Sequence, residues 1–231
     1  MSYSGEMGRN GSSLELQPIA SIDQRSGEAD HRIANSFSLL AGAVSNHARQ
    51  LAKQQRLMTS SEVSQILNEV SSRIAAVGQL HRELATRPDA MHIDLNEHLW
   101  NLCDALIGAL APHGQFTLIP AATASCVIKA DKVLPVCLIV TEVVTNALKY
   151  AHPTGVRGSL MLGCRYDDDG SVLIEVADDG VGLPDGFDPV ASGGIGSRTV
   201  SLLARKLEAE IAYLPQPIGL CFQLRLPPSA V

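Results

Sequence analysis

The sequence predicts an α+β protein in two parts, a helical hairpin followed by a mixed sandwich of helices and strands. Three observations lead to this prediction. Two long segments before Pro88 carry apolar residues at helical spacing. After Pro88, helical segments alternate with short β-branched segments bounded by turn residues. Hydrophobic residues make up 45% of the 231 residues and aromatic residues 4%, which is typical of a chain with packed helices.

The N-terminal part is predicted to be a dimerisation unit. Residues 1–27 are rich in serine, glycine and polar side chains, which predicts a disordered tail. One helix is predicted from Glu28 to about Leu57, and a second from Ser60 or Ser61 to Pro88. Each carries one apolar stripe, so a single hairpin cannot close a core, whereas two copies can form a four-helix bundle. We therefore expect a homodimer; the alternative is a hairpin packed on its own C-terminal half.

The second part is predicted to be a sandwich domain over residues 91–231, after a first domain of residues 28–90. Its predicted helices are Leu95–Leu110, Asp131–Tyr150 and Ile195–Ala209, and its predicted strands are Phe116–Ile119, Cys126–Ile128, Ser159–Tyr166, Ser171–Ala177 and Leu220–Leu226. A turn sequence at residues 167–170 predicts an antiparallel hairpin. The glycine-, proline- and aspartate-rich stretch from Asp179 to Gly194 is predicted to be a loop.

Charge and composition exclude several classes of function. The formal net charge of −6 argues against a nucleic-acid-binding face, which would be basic. No run of 18 apolar residues is present, and the first residues lack the apolar core of a signal peptide, so no membrane span or leader is predicted. The five cysteines are scattered without metal spacing, which is typical of buried thiols in a reducing compartment. These features predict a cytoplasmic protein.

His31 is predicted to lie on the solvent side of the first helix. At about 100° per residue, Asn35 and Ser38 fall within about 40° of it, while Ile33 of the apolar stripe falls about 160° away. A neutral imidazole in that position is a competent nucleophile. The alternative is that His31 has no role, as is true of most exposed histidines.

Charged neighbours could assist His31. Asp30 or Glu28 could accept its proton or stabilise its developing positive charge, and Arg32 could contact an incoming phosphate. His31, Asp30 and Arg32 are therefore candidate catalytic residues, and Asn35 is a further candidate because it lies on the same helix face as His31.

A line of polar residues on the predicted helix Asp131–Tyr150 indicates a ligand site. Glu142, Asn146 and Lys149 are spaced i, i+4 and i+7 on a helix that is otherwise apolar. Burying such groups without partners costs about 1–3 kcal/mol each. Asn146 offers a neutral oxygen suited to Mg²⁺, Glu142 could hold a metal-bound water, and Lys149 could reach a phosphate. The alternative is an internal hydrogen-bonded network.

A second motif follows the predicted strand that ends near Ala177. Asp178-x-Gly180-x-Gly182 places an acceptor at a strand end, where it could take the hydrogens of the adenine N6 amine and would repel the oxygen of guanine. Gly180 and Gly182 permit close approach of the backbone to a base. The alternative is a tight turn in which the glycines serve only geometry.

A third motif opens the last predicted helix. Gly194 and Gly196 precede or begin this helix, whose free amides would suit a triphosphate, and Ser197 and Arg198 could add contacts. The alternative is a flexible loop before a capped helix. The motif is not a Walker P-loop, because no G-x-x-x-x-G-K-[S/T] sequence is present.

The order and spacing of these three motifs resemble the N, G1 and G2 boxes of the GHKL ATP-binding fold. The resemblance implies that Asn146 binds Mg²⁺ with Glu142 as the adjacent acid, that Asp178 recognises adenine, and that the glycines shape a mobile lid. It implies ATP and Mg²⁺ as cofactors and a GHKL sandwich for the second domain.

The N-terminal part resembles one histidine kinase group. The segment Asp30–Asn35 is similar to the H-R-x-x-N phosphoacceptor box of the sister group of the HWE kinases, and Arg73–Leu84 and Ile93–Leu99 are similar to its second dimerisation helix and its link into the ATP domain. The resemblance implies ATP-dependent phosphorylation of His31 and transfer to an aspartate of a response regulator. No sensory domain is predicted before the two helices, so we expect either that the signal comes through a separate sensor protein or that the chain acts as a soluble output module.

The sequence departs from the group's pattern at two positions, and two alternative functions stay open. Ala34 stands where a basic residue is usual, and Leu220 follows Gly219 where threonine is common. One alternative is a histidine phosphotransfer protein or regulator phosphatase with a degenerate ATP domain. The other is a GHKL serine kinase or ATPase switch.

Overall fold

The computed structural model describes residues 91–111, 114–121, 125–153, 156–192 and 195–231, together with scattered positions between 58 and 78. Residues 91–231 form a sheet covered by helices, which confirms the predicted α+β class. Several positions between 60 and 78 are helical, as predicted for the second helix, and Val63, Leu67 and Ile74 on them are exposed. The predicted tail, first helix and four-helix bundle lie outside the described residues.

Two long helices have the predicted bounds to within one residue. Helix α1 (Leu95–Leu110) begins at Asp94, whose carboxylate accepts a hydrogen bond of 2.9 Å from the amide of Asn96. Helix α2 (Ala130–Tyr150) packs on α1 and forms the centre of the domain. By length and composition α2 could cross a membrane, but 72% of its apolar window is buried within the domain. Its apolar side chains therefore belong to the core.

The strands form a five-stranded sheet and a two-stranded ribbon. The elements are β1 (His92–Asp94), β2 (Phe116–Pro120), β3 (Val127–Lys129), β4 (Gly158–Tyr166), β5 (Val172–Asp178), helices α3 (Pro189–Ser192) and α4 (Ile195–Lys206), β6 (Glu210–Pro215) and β7 (Leu220–Leu226). The large sheet has the order β2-β4-β5-β7-β6, with β2 parallel to β4 and the other pairs antiparallel. Strands β1 and β3 pair antiparallel.

The core lies between one face of the sheet and the helices. Strands β4, β5 and β7 turn alternate apolar side chains such as Leu160, Ile174 and Phe222 toward the core. Helix α4 adds Val200 and Leu203 from beside α2. This packing holds the C-terminal half of α2 next to the end of β5, the start of β7 and the start of α4.

Four elements of the second domain differ from the sequence prediction. Helix α4 ends at Lys206 rather than Ala209, because Glu208 adopts a left-handed conformation with φ 55°. The residues that follow form β6, which the sequence did not predict. The predicted loop after Asp179 contains the short helix α3, and β1 was not predicted.

Candidate active site

The polar line of α2 faces the start of α4. The Glu142 side chain is buried, with 4% exposure, and that of Asn146 is partly buried. A Cβ placed on Gly196 would lie 2.6 Å from Oε2 of Glu142 and 3.8 Å from Nδ2 of Asn146. The absence of a side chain at Gly196 therefore creates the space in which these two groups meet the first turn of α4.

The surroundings of Glu142 explain how a buried carboxylate is tolerated. It lies against the N-terminal turn of α4, whose amide dipoles favour negative charge. Burial of Tyr213 on β6, together with the nearby charge of Glu142, raises the pKa of that tyrosine to about 12. Tyr213 also packs edge-on against Phe222 on β7, with ring centroids 5.1 Å apart. Tyr213 is a neighbour of this site that sequence reasoning missed, because it lies on the unpredicted β6.

Asp178 ends β5 and lies where the backbone is most crowded. One of its carboxylate oxygens accepts a hydrogen bond of 3.0 Å from the amide of Gly180. Burial raises the pKa of Asp178, and hydrogen bonds from the amides of Gly180 and Leu220 partly offset the effect. A partly desolvated carboxylate is suited to accept hydrogen bonds from a base.

Glycines bring three backbone segments together around Asp178. A Cβ on Gly180 would lie 2.3 Å from the carbonyl oxygen of Ala151, the residue after α2. A Cβ on Gly219, whose φ is 84°, would lie 1.8 Å from the carbonyl oxygen of Asp178. The amide of Val181 donates a hydrogen bond of 2.8 Å to the carbonyl of Ala151. Ala151 and Gly219 are site residues that the motifs did not identify.

Helix α2 connects the two clusters. Asn146 and Ala151 are five residues apart, which is roughly 7 Å along a helix axis. The structure thus brings together Glu142, Asn146 and Gly196 as one cluster. The other cluster contains Asp178, Gly180 and Gly182, and a Cβ added to Gly182 would lie 3.2 Å from the carbonyl oxygen of Gly219. We call the first group the phosphate end and the second the base end.

The remaining predicted residues fall into two groups. Lys149 is partly buried on α2, Ser197 lies in the first turn of α4 with its carbonyl bonded to the Ser201 hydroxyl at 2.9 Å, and the Arg198 side chain is exposed. Predicted residues outside the described part of the chain are Asp30, His31, Arg32, Asn35 and Gly194.

The phosphate end carries the ligand types that a divalent ion takes. Carboxylate and amide oxygens are the ligands that Mg²⁺ takes in proteins, and Glu142 and Asn146 present one of each, one helical turn apart. Both lie beside Gly196 in the first turn of α4, the end of a helix that favours anions. These residues can hold a divalent ion together with a phosphate.

Both the N-terminal and the C-terminal part of the chain match known protein families. A protein-family profile described as "Histidine kinase" matches residues 28–110, and one described as "Histidine kinase-, DNA gyrase B-, and HSP90-like ATPase" matches residues 131–230. A blue-light-activated histidine kinase 2 of Erythrobacter litoralis is 24% identical over 219 residues, covering 90% of this chain and 58% of that protein. The sensor histidine kinase PdtaS of Mycobacterium tuberculosis is 24% identical over 199 residues, covering 84% of this chain and 37% of that protein.

The fold has a counterpart among solved structures. The histidine kinase domain of the Erythrobacter litoralis EL346 blue-light activated histidine kinase matches with a TM-score of 0.66 at 23% identity, over 90% of this chain and 95% of that one. The chain therefore shares the fold of that domain, while it spans little more than half the length of the first curated relative.

Proposed function

Because this chain belongs to the histidine kinases, joining their helical region to a GHKL ATPase domain, we propose that it uses ATP to phosphorylate His31 and passes the phosphoryl group to an aspartate of a response regulator. The observation that carries this proposal is the arrangement along α2. Glu142 and Asn146 lie next to Gly196 of α4, and Ala151 at the end of α2 accepts a hydrogen bond from Val181 in the loop after Asp178.

The base end would select adenine. Asp178 is a desolvated acceptor, and the adenine N6 amine is a donor, so the two are complementary. Guanine presents a carbonyl oxygen at the same position, which the carboxylate would repel. The crowded backbone at Gly180 and Gly219 fixes the carboxylate relative to α2.

The phosphate end would hold the triphosphate through α2 and α4. The first amides of α4 would bind phosphate oxygens, with Ser197 and Arg198 beside them, and Lys149 would reach the phosphates from α2. Asn146 and Glu142 would hold Mg²⁺, which when bound supplies positive charge against the phosphates. Gly194 and Gly196 would give the preceding loop the freedom to close over the nucleotide.

Transfer would be an in-line displacement at the γ-phosphorus. A ring nitrogen of His31 forms a bond to phosphorus, the bond to the β–γ bridging oxygen breaks, and ADP leaves. Asp30 or Glu28 takes the imidazole proton, and Arg32 and Asn35 contact the incoming phosphate. Catalysis of this kind rests on positioning and charge stabilisation.

The partners follow from the helical region. Residues 28–90 would pair with a second copy as a four-helix bundle, in line with the exposed Val63, Leu67 and Ile74. A receiver domain would dock beside His31, and the protein would act in the cytoplasm. Residues 91–231 would then form the ATP-binding domain and residues 1–27 a tail.

Incubation with γ-labelled ATP and Mg²⁺ tests the proposal. We expect wild type to take up label that is labile in acid and stable in base, as a phosphoimidazole is, and His31→Ala and Asn146→Ala to take up none. Base-labile, acid-stable label would instead indicate a serine kinase. ATP binding without labelling of wild type would favour a phosphotransfer protein, and label that survives in His31→Ala would remove this residue from the mechanism.

A further inference from the structure

A second carboxylate lies next to Asp178, and groups of the protein occupy both of its oxygens. Oδ1 of Asp179 accepts hydrogen bonds from Nε2 of His152 at 2.7 Å and from the amide of Ser159 at 2.8 Å. Oδ2 accepts one from the Ser159 hydroxyl at 2.5 Å. Because a carboxylate accepts and does not donate, Nε2 of His152 carries the proton in this contact. Asp179 thus ties the end of β5 to the start of β4 and to the residues after α2.

The His152 ring is enclosed on the sides away from Asp179. Only 10% of its side chain is exposed, and its ring meets that of Phe116 edge-on with centroids 5.6 Å apart. A Cβ on Gly158 would lie 2.3 Å from the ring. These neighbours limit the movement of the ring, whose Nε2 is directed at Asp179.

His152 and Asp179 lie in the two segments that meet at the base end, one after α2 and the other after β5. His152 follows Ala151, whose carbonyl accepts the amide of Val181. Asp179 lies between Asp178 and Gly180, whose amide bonds the Asp178 carboxylate. Any displacement of Asp179 would move Asp178 relative to α2, and α2 also carries the phosphate end.

The charges of Asp178, Asp179 and His152 also couple these three residues. Asp178 and Asp179 are consecutive carboxylates, and the charge of Asp179 contributes to the raised pKa of Asp178, whereas His152 lowers the pKa of both. Burial raises the pKa of Asp179, but the bonds from Ser159 and His152 outweigh it and bring the value down to about 2. The contacts with Ser159 and His152 thereby stabilise the ionised form of Asp179 next to Asp178.

We propose that Asp179 and His152 are positioning residues for adenine recognition, which hold Asp178 at a fixed place relative to α2. The inference rests on the proposed ATP site and extends it. Neither residue needs to touch the nucleotide. Their loss should weaken recognition of the base while leaving contacts to the phosphates in place.

Nucleotide binding to the full chain tests this role, with ATP, GTP and inorganic tripolyphosphate as probes and with thermal unfolding measured in parallel. We expect Asp179→Ala to weaken ATP binding by about tenfold or more, as the loss of charge-assisted hydrogen bonds does elsewhere, with tripolyphosphate binding changed by less than about twofold. The ATP-to-GTP preference should fall by the same factor. Asp179→Asn, which retains an acceptor for the Ser159 amide, should recover part of the loss, and His152→Ala should reproduce it.

The matched control is Asp167→Asn. Asp167 follows the other end of β4, about 25–30 Å from Ser159 along the strand, and pairs with Arg165 and Arg225. The Asp167→Asn substitution removes a similarly paired carboxylate, and it should leave the affinities for ATP, GTP and tripolyphosphate unchanged.

Three results would overturn the positioning role: equal loss of ATP and tripolyphosphate in Asp179→Ala, unchanged ATP preference in folded His152→Ala, or a wild type that binds ATP and GTP equally. Should Asp179→Ala fail to fold, His152→Ala and Asp179→Asn decide by the same ratios. Failure of the proposed kinase function is separate, since it would appear as ATP binding without label on His31, and the binding ratios do not depend on that label.

Discussion

The two ends of the candidate site are constrained by different parts of the chain. At the base end the close contact is between backbones, since a Cβ on Gly219 would lie 1.8 Å from the carbonyl oxygen of Asp178. At the phosphate end it is between a backbone and the tip of a side chain, since a Cβ on Gly196 would lie 2.6 Å from a carboxylate oxygen of Glu142. The backbone at the base end therefore cannot move without disturbing the fold, whereas a side chain at the phosphate end can move at small energetic cost.

The largest effect is expected for Gly219→Ala. An alanine at φ 84° costs about 1–2 kcal/mol, and the contact with the Asp178 carbonyl adds to that because a backbone cannot rotate away. We expect the free energy of unfolding to fall by about 3 kcal/mol, and ATP binding to be lost. Urea unfolding and calorimetry measure the two quantities.

Gly114→Ala is the control for this prediction. Gly114 has φ 74° but no atom within 4 Å of an added Cβ, so only the conformational cost applies. If the two variants lowered the free energy of unfolding equally, the close contact at Gly219 would make no contribution to stability.

The next effect is expected for Asp178→Asn, which should separate binding from stability. Because the pKa of Asp178 is raised, its charge costs stability at neutral pH, and a neutral amide removes that cost. The unfolding temperature should stay the same or rise. The amide would present a donor to the adenine N6 amine, so ATP affinity should fall on the order of a hundredfold. A large drop in unfolding temperature would contradict this account of the base end.

A smaller effect is expected for Gly196→Ala. The Glu142 side chain can shift away from the new methyl group, so the free energy of unfolding should change by less than about 1 kcal/mol. The shifted carboxylate would disturb Mg²⁺ binding, and labelling with ATP should slow by about tenfold. Gly108→Ala, on α1 with open space around it, is the control and should stabilise by about 0.5–1 kcal/mol without slowing the reaction. Unchanged labelling in Gly196→Ala would show that Glu142 is not part of the phosphate end.

The smallest effect concerns acid stability. The lowered pKa of Asp179, about 2 against an ordinary 3.8, means that its contribution to stability is present above about pH 4 and is lost as pH falls toward 2. With 46% of the side chain exposed, solvent screening limits that contribution to about 1 kcal/mol. The difference in unfolding free energy between wild type and Asp179→Asn should therefore shrink across this window. A difference that stays constant down to pH 2 would refute it.

The phosphate end was predictable because its signal lies within one helix. Glu142, Asn146 and Lys149 at i, i+4 and i+7 stand out on an apolar segment, and the structure confirms that segment as a buried helix. The base end was only half predictable. Asp178 and Gly180 are local in sequence, but Gly219 and Ala151 reach them through strand pairing and helix packing, which no spacing along the chain reveals.

The missed elements also have physical explanations. Helix α4 ends with Glu208 in a left-handed conformation, a position where glycine is the usual signal, so its end and the following β6 went unpredicted. Helix α3 did carry a signal, since Asp188 caps it by accepting the amides of Val190 and Ala191. The parallel pairing of β2 with β4 depends on tertiary structure alone.

The central claim is that one pocket unites the polar line of α2 with the acid at the end of β5. Titration of the full chain with Mg²⁺ and ATP tests it most directly, using Asn146→Ala, Asp178→Asn and the control Asp167→Asn. The account predicts that Asn146→Ala abolishes the dependence of ATP binding on Mg²⁺, that Asp178→Asn abolishes the preference for ATP over GTP, and that Asp167→Asn binds like wild type. Wild-type binding by both site variants would contradict it.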